Sequence, residues 1–391
     1  MRHSTTQIFS PLAAPLSELL AASPPVKILN IIQCTNLGGM EKVALLSMVG
    51  LNERGHNCRL ISLNPLANLE SLLVNNHIPA LGLSYQGRYG WRSLAKMYRA
   101  FRSAPADGVI VTGQNFAAMV ALGNLCKERR LLCMHHYDTS ARPKWQWKLI
   151  YRLAIRKFQA ITYPADFIRR EAEEIYPPIA AISHTVRNPL LIPNVPSDEQ
   201  RIDARARLSL PQSAKIVGSA GWLIERKRID IFLRVAQEIA RVVPEALFVI
   251  AGDGPLRSNL VELAQTLGIK DRIRWLGWQS NLEPFYAALD VLHFNSDRES
   301  LGMTPLEAIA HGVPVVASVV HGGLGEAVEP ERHVFLTRAH DIDWLTEKVL
   351  FVLKYPEISR KMASVAREHL AQTMSIEQHV TEISRLLRLN E

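Results

Sequence analysis

Short apolar runs alternate along this chain with longer stretches in which apolar residues recur every three to four positions. The runs predict strands at 27–33, 59–63, 80–83, 108–112 and 131–134, and the periodic stretches predict helices near 68–75, 91–102 and 116–126. After the first strand, a Gly-Gly turn opens a further helix that stops at Gly55. Residues 176–213 are proline-rich with few periodic apolar positions and read as an interdomain linker. Beyond them the alternation resumes: strand 215–221, loop WLIERKR, helix 229–242, strand 246–251, helix 257–267, strand 274–276, then segment 283–289 leading into strand 291–294. Repeats of this length predict an α/β protein with two Rossmann-like, doubly wound parallel-sheet domains, at 26–190 and 191–375. Residues 1–25, rich in Ser, Ala and Pro, read as a poorly ordered extension rather than a signal peptide, and an amphipathic helix at 376–389 closes the chain.

The chemistry concentrates in residues 295–318, NSDRESLGMTPLEAIAHGVPVVAS. The pattern places a polar loop after strand 291–294, a helix opening at Thr304 and a strand at 313–317. A loop at the carboxyl end of a parallel strand, followed by a helix N-terminus, suits an anion such as a phosphate. Two acids frame it. Thr304, Pro305 and Glu307 also fit an N-cap, a proline at the first helical position and a capping-box acid, so Glu307 has a purely local reading beside a ligand role. Glu299 has no local reading of that kind.

The spacing E-x7-E followed by AxxxGxPVVAS resembles the donor-site motif of retaining glycosyltransferases of the GT-B fold, family 4 (group 1). The fragments GDGP, RIRWLGW, FYAALDVL and HGGLGEAV fall in the family's order, and TVRNPLLIP is similar to its interdomain segment. The resemblance covers essentially the whole chain after the extension. It implies two domains facing across a cleft, with helix 376–391 packing back on the first. It implies His135, Lys227 and Glu299 as catalytic residues: the histidine and the acid at the donor sugar, the lysine at the pyrophosphate. His136 is the alternative to His135. Donor-binding positions implied in the same way are Gly38, Gly39, Arg226, Arg228, Gly252, Gly254, Ser300, Leu301, Gly302, Met303, Thr304 and Glu307, the last at the ribose. In most members the residue after the glycine of the phosphate strand is an arginine, whereas here Gly221 precedes Trp222. An indole offers one N–H and no charge, so Arg226 or Arg228 is expected to compensate.

The resemblance further implies that no metal or other cofactor is needed, the nucleotide-sugar being a substrate. The pair Asp341 and Asp343 reads as a helix cap. The implied reaction moves a sugar from a UDP- or GDP-sugar to a lipid-linked or oligosaccharide acceptor in surface polysaccharide or glycolipid assembly. A GT-B sugar-nucleotide epimerase is one alternative, and a catalytically silent nucleotide- or lipid-binding relative is the other.

Charge adds a partner. The chain carries a net +8 over 391 residues, yet residues 88–158 alone hold 14 Lys or Arg against three acids. That asymmetry points to an acidic partner of the first domain: membrane surface, anionic lipid or nucleic acid. Helices RYGWRSLAKMYRAFR and KWQWKLIYRLAIRKF mix aromatic and basic residues and favour an anionic membrane surface over nucleic acid. Their ordinary reading is an amphipathic helix with its stripe in the core. No apolar run approaches the roughly 18 residues that span a bilayer. The four cysteines, Cys34, Cys58, Cys126 and Cys133, stand singly in or beside apolar segments and read as buried thiols. The expected location is cytoplasmic, peripheral on the inner face of the cytoplasmic membrane.

Overall fold

The computed structural model describes residues 25–33, 38–84, 91–133 and 142–389. The first sheet is built from β1 (Lys27–Ile32), β2 (Asn57–Ser62), β3 (Ala80–Gly82), β4 (Gly108–Thr112), β5 (Arg130–Cys133), β6 (Ala160–Tyr163) and β7 (Ser183–Thr185). Between them run α1 (Gly39–Glu53), α2 (Leu69–Asn75), α3 (Trp91–Ser103), α4 (Phe116–Ala121), α5 (Lys144–Lys157) and α6 (Asp166–Ile175). After α7 (Asp198–Arg207) the second sheet uses β8 (Lys215–Ala220), β9 (Ala246–Ala251), β10 (Ile273–Gly277), β11 (Val291–Glu299), β12 (Val315–Gly322) and β13 (Phe335–Thr337). Its helices are α8 (Ile229–Val242), α9 (Arg257–Thr266), α10 (Glu283–Ala288), α11 (Met303–Ala310), α12 (Leu324–Ala327), α13 (Ile342–Lys354) and α14 (Pro356–Thr373). Last comes α15 (Ile376–Leu386).

The seven-stranded sheet has the order β3-β2-β1-β4-β5-β6-β7 and the six-stranded sheet β10-β9-β8-β11-β12-β13, with every strand pair parallel. Each order reverses once, between β1 and β4 and between β8 and β11. Crossover helices leave the sheet in opposite directions at such a point and open a crevice at the strands' carboxyl ends. The central strands are mostly apolar, as sheets covered on both faces require, while β3 is exposed, β7 and the end of β11 are polar, and apolar clusters flank both faces of each sheet.

The final helix completes the first domain. Val380, Ile383, Leu386, Leu387 and Leu389 join Ile28, Leu45, Met48 and Leu51 in one buried cluster. A Cβ on Gly50 of α1 would come within 2.6 Å of Ile376 and 2.7 Å of Val380, so this glycine lets the two helices touch. Buried His379 sets Nε2 2.8 Å from the Ser47 hydroxyl and Nδ1 2.9 Å from Arg187 O. The two segments that cross between the domains are themselves joined, Leu190 N donating to Met374 O (2.8 Å) and Arg367 to Pro193 O (2.7 Å).

Several local expectations change. The linker is shorter than 176–213: Pro177–Ile182 form a 3-10 turn, Ser183–Thr185 pair with β6, and Ser197 with Gln200 makes a capping box for α7. Strand 291–294 extends to Glu299, because β12 offers backbone partners as far as Gly322. That longer register also moves the strand expected at 313–317 to Val315–Gly322. Helix α11 opens at Met303, with Gly302 as N-cap in the left-handed region (φ 89) and without a side-chain cap. Thr304 and Glu307 are therefore inside the helix, and Glu307 is no capping-box acid.

Candidate active site

The carboxyl ends of β1, β8, β9, β10 and β11 meet at a cleft of about 450 Å³ between the domains. Its floor follows from how closely the loops stack. A Cβ on Gly252 would lie 1.9 Å from Gly221 O, and one on Gly254 2.6 Å from Leu223 O, so the turn after β9 rests directly on the turn after β8. Gly252 lines the cleft, whereas Gly254 lies behind it against Leu223.

The 3-10 turn Glu225–Lys227 after β8 delivers Lys227 to the end of β11, where its Nζ is 2.5 Å from Glu299 Oε1 and 5.1 Å from the centre of the Phe294 ring. Glu299 is 8% exposed. Burial by itself would push its carboxyl up, but the Lys227 charge and hydrogen bond, Arg226 and Ser296 together outweigh burial and hold it below the ordinary value. The site therefore keeps a carboxylate and an ammonium in contact, both facing the cleft.

Beside them the chain turns through Ser300, Leu301 and Gly302 into α11. All three line the cleft with Met303 and Thr304, although the Leu301 side chain points into the core. The first amides of a helix have no partner within it and carry the positive end of its dipole, so this corner suits an anion. Across the cleft stand Gly38, Gly39 and Lys42 of the first domain. Glu41 turns back and accepts from Gly38 N (3.0 Å), which fixes the entry to α1. Glu307, one and a half turns into α11, accepts from Tyr286 Oη (3.0 Å) and lies 3.7 Å from Lys42 Nζ. Burial, then the Glu307 charge, raises the Tyr286 phenol well above its ordinary value, so it remains a donor.

Of the residues expected at the site, the structure gathers Gly38, Gly39, Arg226, Lys227, Gly252, Glu299, Ser300, Leu301, Gly302, Met303, Thr304 and Glu307 around one cavity. Arg228 is not among the lining residues. Its guanidinium is occupied by Asp230 (3.0 Å to each oxygen) and Asp297 (3.2 Å), neither of which lines the cavity, which leaves Arg226 as the candidate for the expected compensation. Arg226 does line the cleft, with Nη1 2.9 Å from Arg298 O. His135 and His136 lie outside the described residues. Asp341 caps α13, accepting from Trp344 N (3.0 Å).

Trp222, noted from the sequence, does line the cleft, whereas Trp278, Lys42 and Asn188 of the cleft and Tyr286 beside it were not singled out by the sequence. Trp222 is half-exposed and meets Trp278 edge to face (6.0 Å, 77°), forming an aromatic wall at the β8 and β10 end. Lys42 had a usable signal, being a cation one residue after the acid that caps α1. Tyr286 had none, since 21 residues separate it from Glu307. Asn188, in the crossing segment, reaches Met303 Sδ (3.7 Å) and lines the same cavity.

The domains also meet beyond the cleft. A Cβ on Gly323 would come within 2.4 Å of Ala165 Cβ, and the Glu326 carboxylate accepts from Asp166 N (2.6 Å) and Phe167 N (2.7 Å), capping α6 from the other domain. Arg298 pairs with Glu171 and lies over the Phe167 ring.

On the charged face of the first domain, α5 buries Trp147 and Tyr151 but exposes Trp145 and Leu149, and α3 buries Met97 and Phe101 but exposes Trp91 and Tyr98. Arg130 is internal, its guanidinium holding Leu125 O (2.6 Å) and Gly123 O (3.1 Å), so it does not contribute to the basic surface. Among the described residues no helix is long and apolar enough to cross a membrane.

Comparison with known proteins places this geometry in a family. Residues 37–189 match Glycosyltransferase Family 4 and residues 200–369 match Glycosyl transferases group 1. Among curated relatives, the lipopolysaccharide core biosynthesis glycosyltransferase LpsE of Rhizobium meliloti is 41% identical over 118 residues, 30% of this chain and 34% of that protein. A D-inositol 3-phosphate glycosyltransferase of Saccharomonospora viridis is 36% identical over 180 residues, 43% of this chain and 42% of that protein. The chain thus spans less than half the length of either relative. The crystal structure of Anabaena Alr3699/HepE in complex with UDP and glucose superposes with a TM-score of 0.81, covering 93% of this chain and 99% of that one at 19% identity. WaaG, a glycosyltransferase involved in lipopolysaccharide biosynthesis, gives 0.70 at 14% identity, covering 92% and 99%. At such identities the likeness is one of fold, and the fold is GT-B. With both of its halves matched and the two parallel sheets arranged as in these structures, the chain belongs to the group 1, family 4 glycosyltransferases.

Proposed function

We infer that this chain is a retaining, metal-independent hexosyltransferase that moves a sugar from a nucleotide-sugar to a lipid-linked or oligosaccharide acceptor in surface polysaccharide or lipopolysaccharide-type assembly. The observation that carries the reading is the Lys227–Glu299 pair on the cleft floor beside the N-terminus of α11. A pyrophosphate laid there meets an ammonium and the unpartnered helix amides, which match the charge that develops on a leaving nucleoside diphosphate. Glu299, kept ionised, accepts hydroxyls of the transferred sugar. Glu307 accepts those of the ribose. HepE was crystallised with UDP and with UDP-glucose, which makes UDP-hexoses the first donors to try.

The C1–phosphate oxygen bond breaks as the C1–acceptor oxygen bond forms on the same face, and the acceptor's proton passes to the departing phosphate oxygen. Lys227 and the helix N-terminus hold the leaving charge throughout, without a metal. The exposed Trp91, Trp145, Tyr98 and Leu149 among Arg92, Lys96, Arg99, Lys144 and Lys148 support docking of the first domain on an anionic membrane surface. Such docking would bring a lipid-linked acceptor to the cleft from the cytoplasmic side.

The test is a melting-temperature screen against UDP-, GDP- and ADP-sugars, followed by a transfer assay with the stabilising donor and NMR of the product's anomeric centre, with and without EDTA. A donor at 100 times its Kd should add about 2.7 kcal/mol. Stabilisation by one nucleotide class, retained configuration and EDTA-insensitive turnover are expected. Stabilisation by none of the donors overturns the reading, an inverted product overturns the retaining mechanism, and loss of turnover in EDTA overturns metal independence.

A further inference from the structure

Behind the cleft floor a line of polar side chains runs from the lysine turn into the second sheet. Arg228 follows Lys227 directly and has its backbone in the left-handed region (φ 44), a conformation uncommon for a residue with a side chain. Its guanidinium donates to Asp230 with Nε and Nη2 (3.0 Å each) and to Asp297 Oδ1 with Nη1 (3.2 Å). The same Asp297 oxygen is 2.9 Å from His340 Nε2. His340 Nδ1 is 2.6 Å from Ser318 Oγ, which is 2.6 Å from Asn295 Oδ1. Asn295 Nδ2 is 3.0 Å from His293 Nε2, and His293 Nδ1 is 3.3 Å from Val316 O.

Counting protons orders the buried end of this line. The Val316 carbonyl can only accept, so His293 Nδ1 carries a proton. Burial lowers the His293 imidazole to about 4, so the ring is neutral and its Nε2 accepts from the Asn295 amide. Asn295 therefore turns its oxygen to Ser318 and takes the single hydroxyl proton. Ser318 Oγ meets His340 Nδ1, and Nε2 of the same ring faces the Asp297 carboxylate, so His340 bridges the buried network and Asp297.

We propose that His340 is a positioning residue for the phosphate lysine: anchored in the second sheet through Ser318, it fixes Asp297, which fixes Arg228 and thereby the turn that presents Lys227 to the cleft. The proposal rests on the donor-site reading of Lys227 above. His340 itself does not line the cleft, and it reaches the site from the segment between β13 and α13, far from the donor motif in sequence. The turn has a second tether on the same strand, since Ser296 Oγ lies 3.1 Å from Arg226 O, so loss of His340 should loosen Lys227 without unfolding the turn.

The experiment is a double-mutant cycle read by calorimetric affinity for the nucleoside diphosphate of the donor that the screen identifies. His340→Ala should weaken binding about tenfold, the loss expected for one charge-assisted hydrogen bond in a positioning chain. In a Lys227→Ala background the same substitution should change nothing, because there is no longer an ammonium to misplace. A general structural defect would instead weaken both backgrounds equally, and that result, or unchanged affinity in His340→Ala, overturns the proposal. If His340→Ala does not fold, Asp297→Ala, whose carboxylate is about half-exposed, takes its place with the same two outcomes. Wild-type affinity in Lys227→Ala alone would overturn the donor-site reading instead, and so separates the two failures.

Discussion

Removing the lysine of the buried pair should damage the protein in two separable ways. In Lys227→Ala the Glu299 carboxylate, with a side chain 10% exposed, loses the ammonium 2.5 Å away and retains Arg226 and Ser296. Stripping one partner from a buried pair costs about 3–5 kcal/mol when the other stays charged. Glu299 has an escape, because it can take a proton. Protonating a carboxyl of ordinary value 4.5 at pH 7, at about 1.4 kcal/mol per pH unit, caps the penalty near 3.5 kcal/mol. For a domain of this size that corresponds to a melting temperature lower by roughly 7 to 14 °C. Turnover should fall further, by about 10² to 10³, the usual loss when one preorganised donor to a developing anion is removed. The discriminating variant is Lys227→Ala/Glu299→Gln. It buries no unpaired charge, so it should recover most of the melting temperature and none of the turnover. The wild-type pair also sets a pH dependence. Because the folded Glu299 sits below its ordinary value, its stabilising contribution is complete above about 4.5 and disappears as the pH falls through the folded value. Melting curves from pH 7 to 3 should show this acid-side loss in the wild type and much less of it in Lys227→Ala. A double variant no more stable than Lys227→Ala, or a single variant with full turnover, would refute the coupling of charge pair and leaving group.

Glu307→Gln keeps an oxygen for the Tyr286 hydroxyl but removes the charge opposite Lys42, so donor affinity should drop at an unchanged melting temperature; equal affinity would remove Glu307 from the ribose site. Arg226→Ala should lower turnover more than an exposed loop arginine would, while Trp222→Arg should be tolerated; normal transfer by Arg226→Ala would leave Lys227 and α11 as the whole anion site. Wild-type protein should float with anionic vesicles and less so in high salt, each basic residue near the surface contributing about 1 kcal/mol. Trp91→Ser/Trp145→Ser should weaken that flotation, and equal flotation with neutral vesicles would count against membrane docking.

The sequence pattern made the two sheets legible because their strands are buried on both faces and separated by helices with a clear period, as in KIVGSA before IDIFLRVAQEIARV. It misplaced the ends of β11 and α11 for one reason. Residues 295–299 are polar and read as a loop, but pairing with β12 gives their backbone a strand's partners, and no local signal reports what a neighbouring strand offers. The same extension put Glu299 against Lys227. Gly302 opening α11 was hidden by Thr304-Pro305, which satisfies the rules for a helix start two residues later. Arg228 and Arg226 are indistinguishable in ERKR. Only the positions of Asp230 and Asp297 decide which of them faces the cleft.

The return of α15 to the first domain makes that domain discontinuous in sequence. Its core against α1 cannot close during synthesis until the whole second domain has emerged and residues 376–389 follow it. Residues 25–185 alone would present the α1 face, with Gly50 at its centre, bare to solvent and to other nascent chains. The second domain is under no such delay, since its strands all come from one uninterrupted stretch, and it is the unit expected to fold first. Once both are formed, the outgoing and returning segments lie side by side, tied from Leu190 to Met374. Two adjacent crossings act as a door hinge: they permit rotation about the line through them and resist sliding and twist. A cleft that opened about this line would separate Gly38 and Gly39 from the α11 corner and bring them back in register.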